Sequence, residues 1–312
     1  MKISRAFIGF ILLTIFYVGA LLWTDSKKEV FSQIPLLVNA IPALIGISFF
    51  SYLVRYFRWQ WLLRRAGYKV ALGYGLLAYL AGFAFTATPG KVGELIRIRY
   101  FSRVNIPAST SFGAFVFERA FDLIVVLLLA SLVISQQKYF IIALGFVLIF
   151  LAFLILLALN ATLVNWIIGL FESLGWRPLA KLALVVKGGL SACRFWFNPL
   201  DLLFCFASGL IAWGATAAGF LLLTQDLGIS IDSITVFAMY PLAMLVGAAS
   251  MLPGGVGTTE LTIVLLLAAY GVSTSLATLA AVGIRLATIW FAMLVGFMSV
   301  AILEWQFVKE KD

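Results

Sequence analysis

Long apolar runs, separated by short polar turns, make up most of the chain. Each run has about 18 or more residues, which is enough for a helix to cross a bilayer. The first run follows Lys2 and Arg5 and lacks a small-x-small cleavage site, so we interpret it as a membrane anchor rather than a secretory signal. The runs predict an all-α, polytopic membrane protein, and they lie near residues 6–23, 34–57, 139–159, 199–223 and 276–303.

Composition strengthens this prediction and excludes several other classes of protein. Hydrophobic residues make up 63% of the 312 positions and charged residues 11%, whereas roughly a quarter of a soluble domain is charged. Histidine is absent, and Cys193 and Cys205 show no paired spacing, so we expect no metal site and no cofactor. The net charge of +9 comes from cations at the ends of apolar runs, which favours contact with lipid headgroups over nucleic acid.

The distribution of cations predicts which turns face the cytoplasm. The turns 24–33 and 224–232 lack an excess of cations and are expected outside the cell. Both termini are then expected in the cytoplasm, and the membrane is expected to be the bacterial plasma (inner) membrane. The basic groups assigned to the cytoplasm are Lys2 and Arg5; Arg58, Arg64, Arg65 and Lys69; Arg97, Arg99 and Arg103; Arg177, Lys181, Lys187 and Arg194; and Lys309 and Lys311.

One apolar run conflicts with a simple ladder of spans. Residues 71–88 lie between two basic groups that belong on the same side, so we predict that this segment enters the membrane, breaks at Pro89-Gly90 and returns. The segment 233–270, broken at Pro253-Gly254-Gly255, is expected to do the same from outside. With a further span at 108–135, the chain then has about six spanning helices and two oppositely oriented re-entrant hairpins. The stretch 161–176 is expected at the interface, and whether 178–197 is interfacial or spanning stays open.

The two hairpin motifs belong to an internal repeat. Pro89-Gly90-Lys91-Val92-Gly93-Glu94 and Pro253-Gly254-Gly255-Val256-Gly257-Thr258-Thr259-Glu260 begin 164 residues apart. An arginine follows each glutamate by 25 positions, at Arg119 and Arg285. We therefore divide the single domain 1–312 into repeat one (34–135), a connecting region (136–198) and repeat two (199–303). Three crossings separate the hairpins, so the repeats are inverted.

Inverted repeats with broken helices are typical of transporters, in which the breaks line a polar site near mid-membrane. Proline removes an amide donor, and glycine permits otherwise unfavourable backbone angles. The helix that restarts after a break also points its positive end inward, which suits an anion. The alternative is that both motifs are tight turns between ordinary helices. The predicted breaks comprise Pro89, Gly90, Gly93, Pro253, Gly254, Gly255 and Gly257.

Ionisable residues within apolar spans are costly and therefore usually paired. We expect the cations Lys91, Arg119 and Arg285 to bind a phosphate or another headgroup anion. The structural alternatives are ion pairs that only fix the hairpins and, for Lys91, a side chain that reaches the interface. The acidic partners are predicted to be Glu94 for Arg119, Glu260 for Arg285, and Glu118 and Asp122, which share a helix face.

These motifs resemble the lysylphosphatidylglycerol synthase transmembrane region, or flippase-like domain, over almost the whole chain. The resemblance implies a lipid flippase without enzymatic activity, because no aminoacyl-transferase domain follows the last span before Asp312. The expected partner is a membrane lipid, either a phospholipid or a polyprenyl-linked one. A separate lipid-modifying enzyme and a second copy of the chain are left open as protein partners. The residues on which the resemblance rests are Ala84 to Glu94 with Arg97 and Tyr100; Glu118-Arg119 with Asp122; and Leu252 to Gly257 with Glu260 and Arg285.

Two other functions stay open at this point. One is a membrane-embedded enzyme of lipid or glycolipid modification that uses Glu118, Asp122 or Glu260 as a base. The other is an assembly partner that transports nothing. No nucleotide-binding loop, paired acidic metal motif or histidine supports the enzyme.

Overall fold

A computed structural model describes residues 35–133 and 176–309, together with scattered positions between 141 and 173. The two continuous ranges form only helices and turns. The predicted runs 6–23 and 139–159 and the predicted interfacial stretch 161–176 fall wholly or almost wholly outside them. The helices are α1 (Pro35–Arg65), α2 (Leu72–Ala81), α3 (Arg97–Ser102), α4 (Ala108–Ala130), α5 (Arg177–Ala192), α6 (Pro199–Asp226), α7 (Ser233–Ala249), α8 (Thr258–Ala269), α9 (Thr274–Arg285) and α10 (Phe291–Lys309).

Within the described residues, three segments are long and apolar enough to cross a membrane. They are Leu37–Arg65, Pro199–Asp226 and Thr274–Lys309, the last of which combines α9 and α10 through the π-helical turn Leu286–Trp290. All three coincide with predicted spans, so the chain is a multi-pass membrane protein. α4 occupies the predicted span 108–135, but Glu118, Arg119 and Asp122 interrupt its apolar sequence. The full count of six spans stays a prediction.

The chain reverses direction at both Pro-Gly motifs. α2 and the 3-10 turn Gly82–Phe85 precede the first motif, which is followed by the 3-10 segment Pro89–Ile96 and α3. α3 packs against α2, and Tyr74 donates a hydrogen bond of 2.7 Å to the Tyr100 carbonyl oxygen. α7 and α8 pack against each other across the second motif in the same way. That each hairpin enters and leaves the bilayer on one face stays a prediction.

The helices pack in pairs that relate the two halves of the chain. α1, before the first hairpin, packs along α6, before the second. α4, after the first hairpin, packs on α7 of the second, and α10, after the second hairpin, packs on α2 of the first. Each hairpin is therefore held by the helix that follows the other one.

α5 occupies much of the region whose placement the sequence leaves open. It packs along α4, and the two helices cross where Gly113 faces Gly189. A Cβ on Gly189 would lie 3.0 Å from the Gly113 nitrogen, so a larger residue there would separate the helices.

The buried charges lie between two apolar clusters. On α4, Phe117 belongs to a cluster that also contains Trp59 and Tyr79, whereas Val125 belongs to a second cluster that contains Phe220. The charged residues of α4 fall between these positions. The boundary between the two apolar clusters is thus the polar centre of the molecule.

Candidate functional site

The two Pro-Gly motifs break their helices with the same backbone conformation. Gly90 and Lys91 have φ of +59° and +57°, and Gly254 and Gly255 have φ of +62° and +63°. This left-handed region is unstrained for glycine and unfavourable for other residues. The predicted breaks are present in the backbone, and Lys91 occupies a strained position that glycine fills in the other half.

Gly93 and Gly257 complete the motifs for different reasons. A Cβ on Gly93 would overlap the Phe85 carbonyl oxygen, while its N–H donates a 2.7 Å hydrogen bond to Oγ1 of Thr88. Gly257 has φ +87°, and its N–H donates a 2.7 Å hydrogen bond to Oε2 of Glu260. The first glycine permits close packing of the chain, and the second permits the turn into α8.

The two breaks meet in space. The segment Pro89–Ile96 contacts Pro253–Gly255. A Cβ on Gly254 would lie 3.2 Å from the Ala87 Cα and 2.6 Å from Cδ1 of Ile289. Two motifs that are 164 residues apart in sequence therefore form one junction, and a side chain at Gly254 would push it apart.

A cavity of about 90 Å³ lies beside this junction. That volume holds several waters or one small polar group. The cavity walls combine residues of both halves, and cations outnumber acids among them. The lining residues with charge or an indole N–H are Arg55, Lys91, Glu94, Arg119, Trp213 and Arg285.

Asp122 is the centre of a buried ion network. Its carboxylate lies 2.8 Å from Nη1 of Arg55, 2.8 Å from Nη2 of Arg58 and 3.0 Å from Nη2 of Arg119. Arg58 is completely buried and Asp122 nearly so. Because a buried charge is stable only when it is paired, these contacts hold α1 and α4 in register.

Glu118, one turn before Asp122, extends the network to the first hairpin. Its carboxylate accepts a 2.8 Å hydrogen bond from the Tyr79 hydroxyl and lies 3.0 Å from Nη2 of Arg58. Nη1 of Arg97 lies 3.4 Å away. Glu118 and Asp122 do share one helix face, as predicted, and both bind Arg58.

The predicted ion pair between Glu94 and Arg119 is wrong for the residues that the structure describes. Glu94 instead lies 2.8 Å from Nη2 of Arg97 and accepts a 2.9 Å hydrogen bond from Thr86. Arg97 follows Glu94 by three residues, and Gly82 leaves room for its guanidinium, since a Cβ there would be 2.7 Å from Nε. Arg119 instead pairs with Glu118 and Asp122 of its own helix.

The predicted ion pair between Glu260 and Arg285 is present. Nε of Arg285 lies 2.8 Å from Oε1 of Glu260, and its Nη2 donates a 2.7 Å hydrogen bond to the Gly254 carbonyl oxygen. The guanidinium thus ties α9 to both ends of the second break. Although Arg285 lines the cavity, two of its nitrogens are already engaged by strong acceptors.

In the described residues, Trp213 and Arg119 have buried donors without acceptors, and Lys91 is a cation without an ion pair. Lys91 forms no ion pair with any residue in the described part of the chain, and its ammonium lies 5.9 Å from the centre of the Trp213 ring. Nε1 of Trp213 is buried and has no hydrogen-bond partner there, and the same holds for Nε of Arg119. Three donors of cavity-lining residues are therefore available to a bound acceptor.

The basic groups predict that Arg58 and Arg97 lie in cytoplasmic turns, but Arg58 lies within α1 and Arg97 begins α3. The side of the membrane that each faces stays a prediction. Both are completely buried. Arg55, which lies inside the apolar run 34–57, and Trp213 were not predicted as site residues. The available signal for the arginines was the excess of acids on α4, because Glu118 and Asp122 need more partners than Arg119 alone.

No three His, Cys, Asp or Glu side chains converge as a metal site within the described ranges. Cys193 and Cys205 are buried free cysteines that form no disulfide. The expectation of no metal and no cofactor stays a prediction.

The chain matches the sequence model of a known family. The sequence model described as the lysylphosphatidylglycerol synthase TM region matches residues 6–296. The match includes both breaks and every residue of the ion network. No curated protein matches the chain.

Proposed function

The chain belongs to the lysylphosphatidylglycerol synthase TM-region family, and we propose that it moves a lipid headgroup between leaflets through the cavity where its two helix breaks meet. The acyl chains stay in the surrounding bilayer during this movement. The observation that carries the proposal is the junction of Gly254 with Ala87 beside a cation-rich cavity.

The physical basis of the proposal is the cost of polar groups in a membrane. Irregular backbone and charged side chains at membrane depth are tolerated where they line a polar cavity or bind one another. Here two irregular segments meet, and charged residues of both halves surround the same small space. A path for a headgroup needs such an arrangement, whereas a purely structural bundle does not.

The residues best placed to bind the headgroup anion are Lys91, Arg119 and Arg55. Lys91 forms no ion pair in the described residues, and Arg119 and Arg55 line the cavity while they bind Asp122. Arg285 contributes positive potential to the same space. Its hydrogen bonds to Glu260 and Gly254 favour a further role, which is to hold the second break against the first.

Transport fits these residues better than catalysis by a carboxylate base. Glu118 and Asp122 each contact more than one guanidinium, and Glu260 pairs with Arg285. A general base needs a free lone pair near the reacting proton. Carboxylates held by several arginines are poor bases, so we assign them to positioning the cations.

We further propose that the protein lies in the bacterial plasma membrane with both termini in the cytoplasm. Arg64, Arg65, Lys69 and Arg99 are exposed and retain the charge bias that predicts this orientation. Reporter fusions after Lys309 that are active only in the cytoplasm would support it, and fusions active only outside would refute it.

A liposome assay tests the proposed transport. Purified protein is reconstituted with fluorescent phospholipids or a fluorescent polyprenyl phosphate, and the label in the outer leaflet is reduced chemically. We expect protein-dependent loss of inner-leaflet signal for at least one lipid, slowed about tenfold by Lys91→Gly and unchanged by Arg64→Ala. Signal loss no faster than in empty liposomes for every lipid would overturn the proposal.

A further inference from the structure

The buried charges around the cavity do not balance. Three carboxylates, those of Glu94, Glu118 and Asp122, belong to the connected network. Five cationic side chains surround them in the described residues, which leaves an excess of two positive charges. The cations are Arg55, Arg58, Lys91, Arg97 and Arg119. The Arg285–Glu260 pair is neutral and does not alter this count.

An uncompensated excess of two charges is unfavourable in a membrane interior. Each buried charge that lacks a partner costs several kcal/mol in desolvation, and the cost falls when an opposite charge arrives. The acids nearby are already shared among several guanidinium groups. A ligand that carries two negative charges would therefore balance the site, and a ligand with one would leave it positive.

The donors without acceptors specify the chemistry of that ligand. Among the cavity-lining residues, Nε1 of Trp213 and Nε of Arg119 are buried without a hydrogen-bond partner in the described part of the chain, and the ammonium of Lys91 forms no ion pair there. Trp213 is 93% buried, since only 7% of its surface is exposed, so its N–H has no access to bulk water. Two buried N–H groups and an ammonium suit a group with several acceptor oxygens, as a phosphate has.

On this basis we propose that the cavity binds a lipid phosphate monoester as its dianion, in preference to the singly charged phosphodiester of an ordinary phospholipid. The proposal rests on the proposed transport function and names its substrate class. A terminal phosphate also fits the cavity volume of about 90 Å³, whereas a phosphodiester must place a second substituent beyond the phosphate in the same space.

The backbone at Lys91 supports this assignment independently. Lys91 holds φ +57°, where the matching position of repeat two is Gly255 at +63°. A strained non-glycine residue persists when the surrounding structure holds it, and such residues are concentrated at functional sites. The first break thus keeps a cation at the cavity at a conformational cost that the second break avoids.

Binding to the purified full chain in nanodiscs tests the inference. The probes are farnesyl phosphate, its monomethyl ester and inorganic phosphate, which share the phosphate group but differ in charge and in the lipid chain. We expect farnesyl phosphate to bind at least about tenfold more tightly than the methyl ester, because the second charge meets an unpaired cation in a medium of low dielectric. Inorganic phosphate should bind more weakly than farnesyl phosphate, because it lacks the chain.

Variants assign the binding to the cavity. Trp213→Phe keeps the ring and removes the N–H, and Lys91→Gly keeps the backbone angle and removes the charge. Each should weaken binding of farnesyl phosphate, and Lys91→Gly should also reduce the preference over the methyl ester. Arg64→Ala, an exposed cation of α1, should change neither value.

Three results would overturn the inference. The first is equal affinity for farnesyl phosphate and its monomethyl ester, and the second is inorganic phosphate that binds as tightly as farnesyl phosphate. The third is undiminished binding of farnesyl phosphate by both the Trp213→Phe and Lys91→Gly variants. The liposome assay separates this failure from failure of the proposed function. Phospholipid movement without a preference for the monoester rejects only the substrate class, whereas monoester binding without any lipid movement rejects only the transport.

Discussion

Nη2 of Arg285 donates a 2.7 Å hydrogen bond to the Gly254 carbonyl oxygen, and the same guanidinium pairs with Glu260 on the far side of the break. One side chain therefore fixes both ends of an interrupted helix. Because Gly254 also contacts Ala87 of the first break, the position of the whole junction depends on this arginine.

Loss of the Arg285 clamp should destabilise the protein. Arg285→Met leaves a largely buried Glu260 without its cation, and breaking such a pair costs about 3 kcal/mol. Denaturant unfolding in detergent measures the change. Arg99→Ala, which removes a half-exposed pair with Glu304, should cost less than about 1 kcal/mol, and adding Glu260→Gln to Arg285→Met should recover part of the loss. Equal stability of the two arginine variants would contradict the clamp.

Substitution of Lys91 should separate stability from function. Lys91→Gly removes a side chain from the left-handed region, which we expect to stabilise the fold by about 1 kcal/mol. The same variant should slow lipid movement because the cavity loses its unpaired cation. Thermal unfolding and the liposome assay measure the two effects. Lys91→Arg keeps the charge and should retain more transport than Lys91→Gly, and the reverse order would contradict the electrostatic role.

Neutralising Asp122 should be among the most disruptive single changes. Asp122→Asn removes the one carboxylate that contacts Arg55, Arg58 and Arg119 together in the described residues, at an expected cost of about 3–5 kcal/mol. Asp232→Asn provides a matched control, because Asp232 is an exposed N-cap of α7 and asparagine caps helices equally well. Yield and unfolding midpoint measure both variants. An Asp122→Asn protein as stable as the control would show that the network is not needed.

A side chain at Gly254 should disrupt the junction by two additive effects. Gly254→Ala forces alanine to φ +62° and against Ala87. Gly228→Ala imposes φ +72° with nothing within 4 Å of the new Cβ, so it measures the strain alone, about 1 kcal/mol. We expect Gly254→Ala to cost clearly more and to slow lipid movement. Similar costs for both would mean that the two breaks do not depend on close contact.

The sequence predicts those features that depend on local pattern or on fixed spacing. The apolar runs give the long helices, the repeated Pro-Gly motif gives both breaks, and the 25-residue spacing identifies the pair of Glu260 with Arg285. The same spacing predicts the wrong partner for Glu94, because Arg97, three residues further along the chain, pairs with it instead of Arg119. Equal spacing in two repeats therefore did not mean equal pairing.

The partners of the acids on α4 depend on packing that no local pattern contains. Arg58 and the exposed Arg64 lie on the same helix and in the same basic group, and the contact between α1 and α4 distinguishes them. In the sequence, nothing distinguishes Trp213 from the other apolar residues of α6, and only the folded structure shows that it lines the cavity. Counting cations by side treats all of them as loop residues, so it does not separate the buried Arg58 and Arg97 from the exposed cations.

The most direct test of the account locates the headgroup itself. A phospholipid or a lipid phosphate with a photoreactive group in its headgroup is incorporated into liposomes with the unmodified protein. The liposomes are irradiated, and mass spectrometry identifies the residues to which the lipid has become attached. We predict adducts at cavity-lining residues of both halves, such as Thr86, Lys91, Trp213 and Thr216. Adducts confined to exposed apolar positions such as Val38 and Met298 would contradict passage of the headgroup through the cavity.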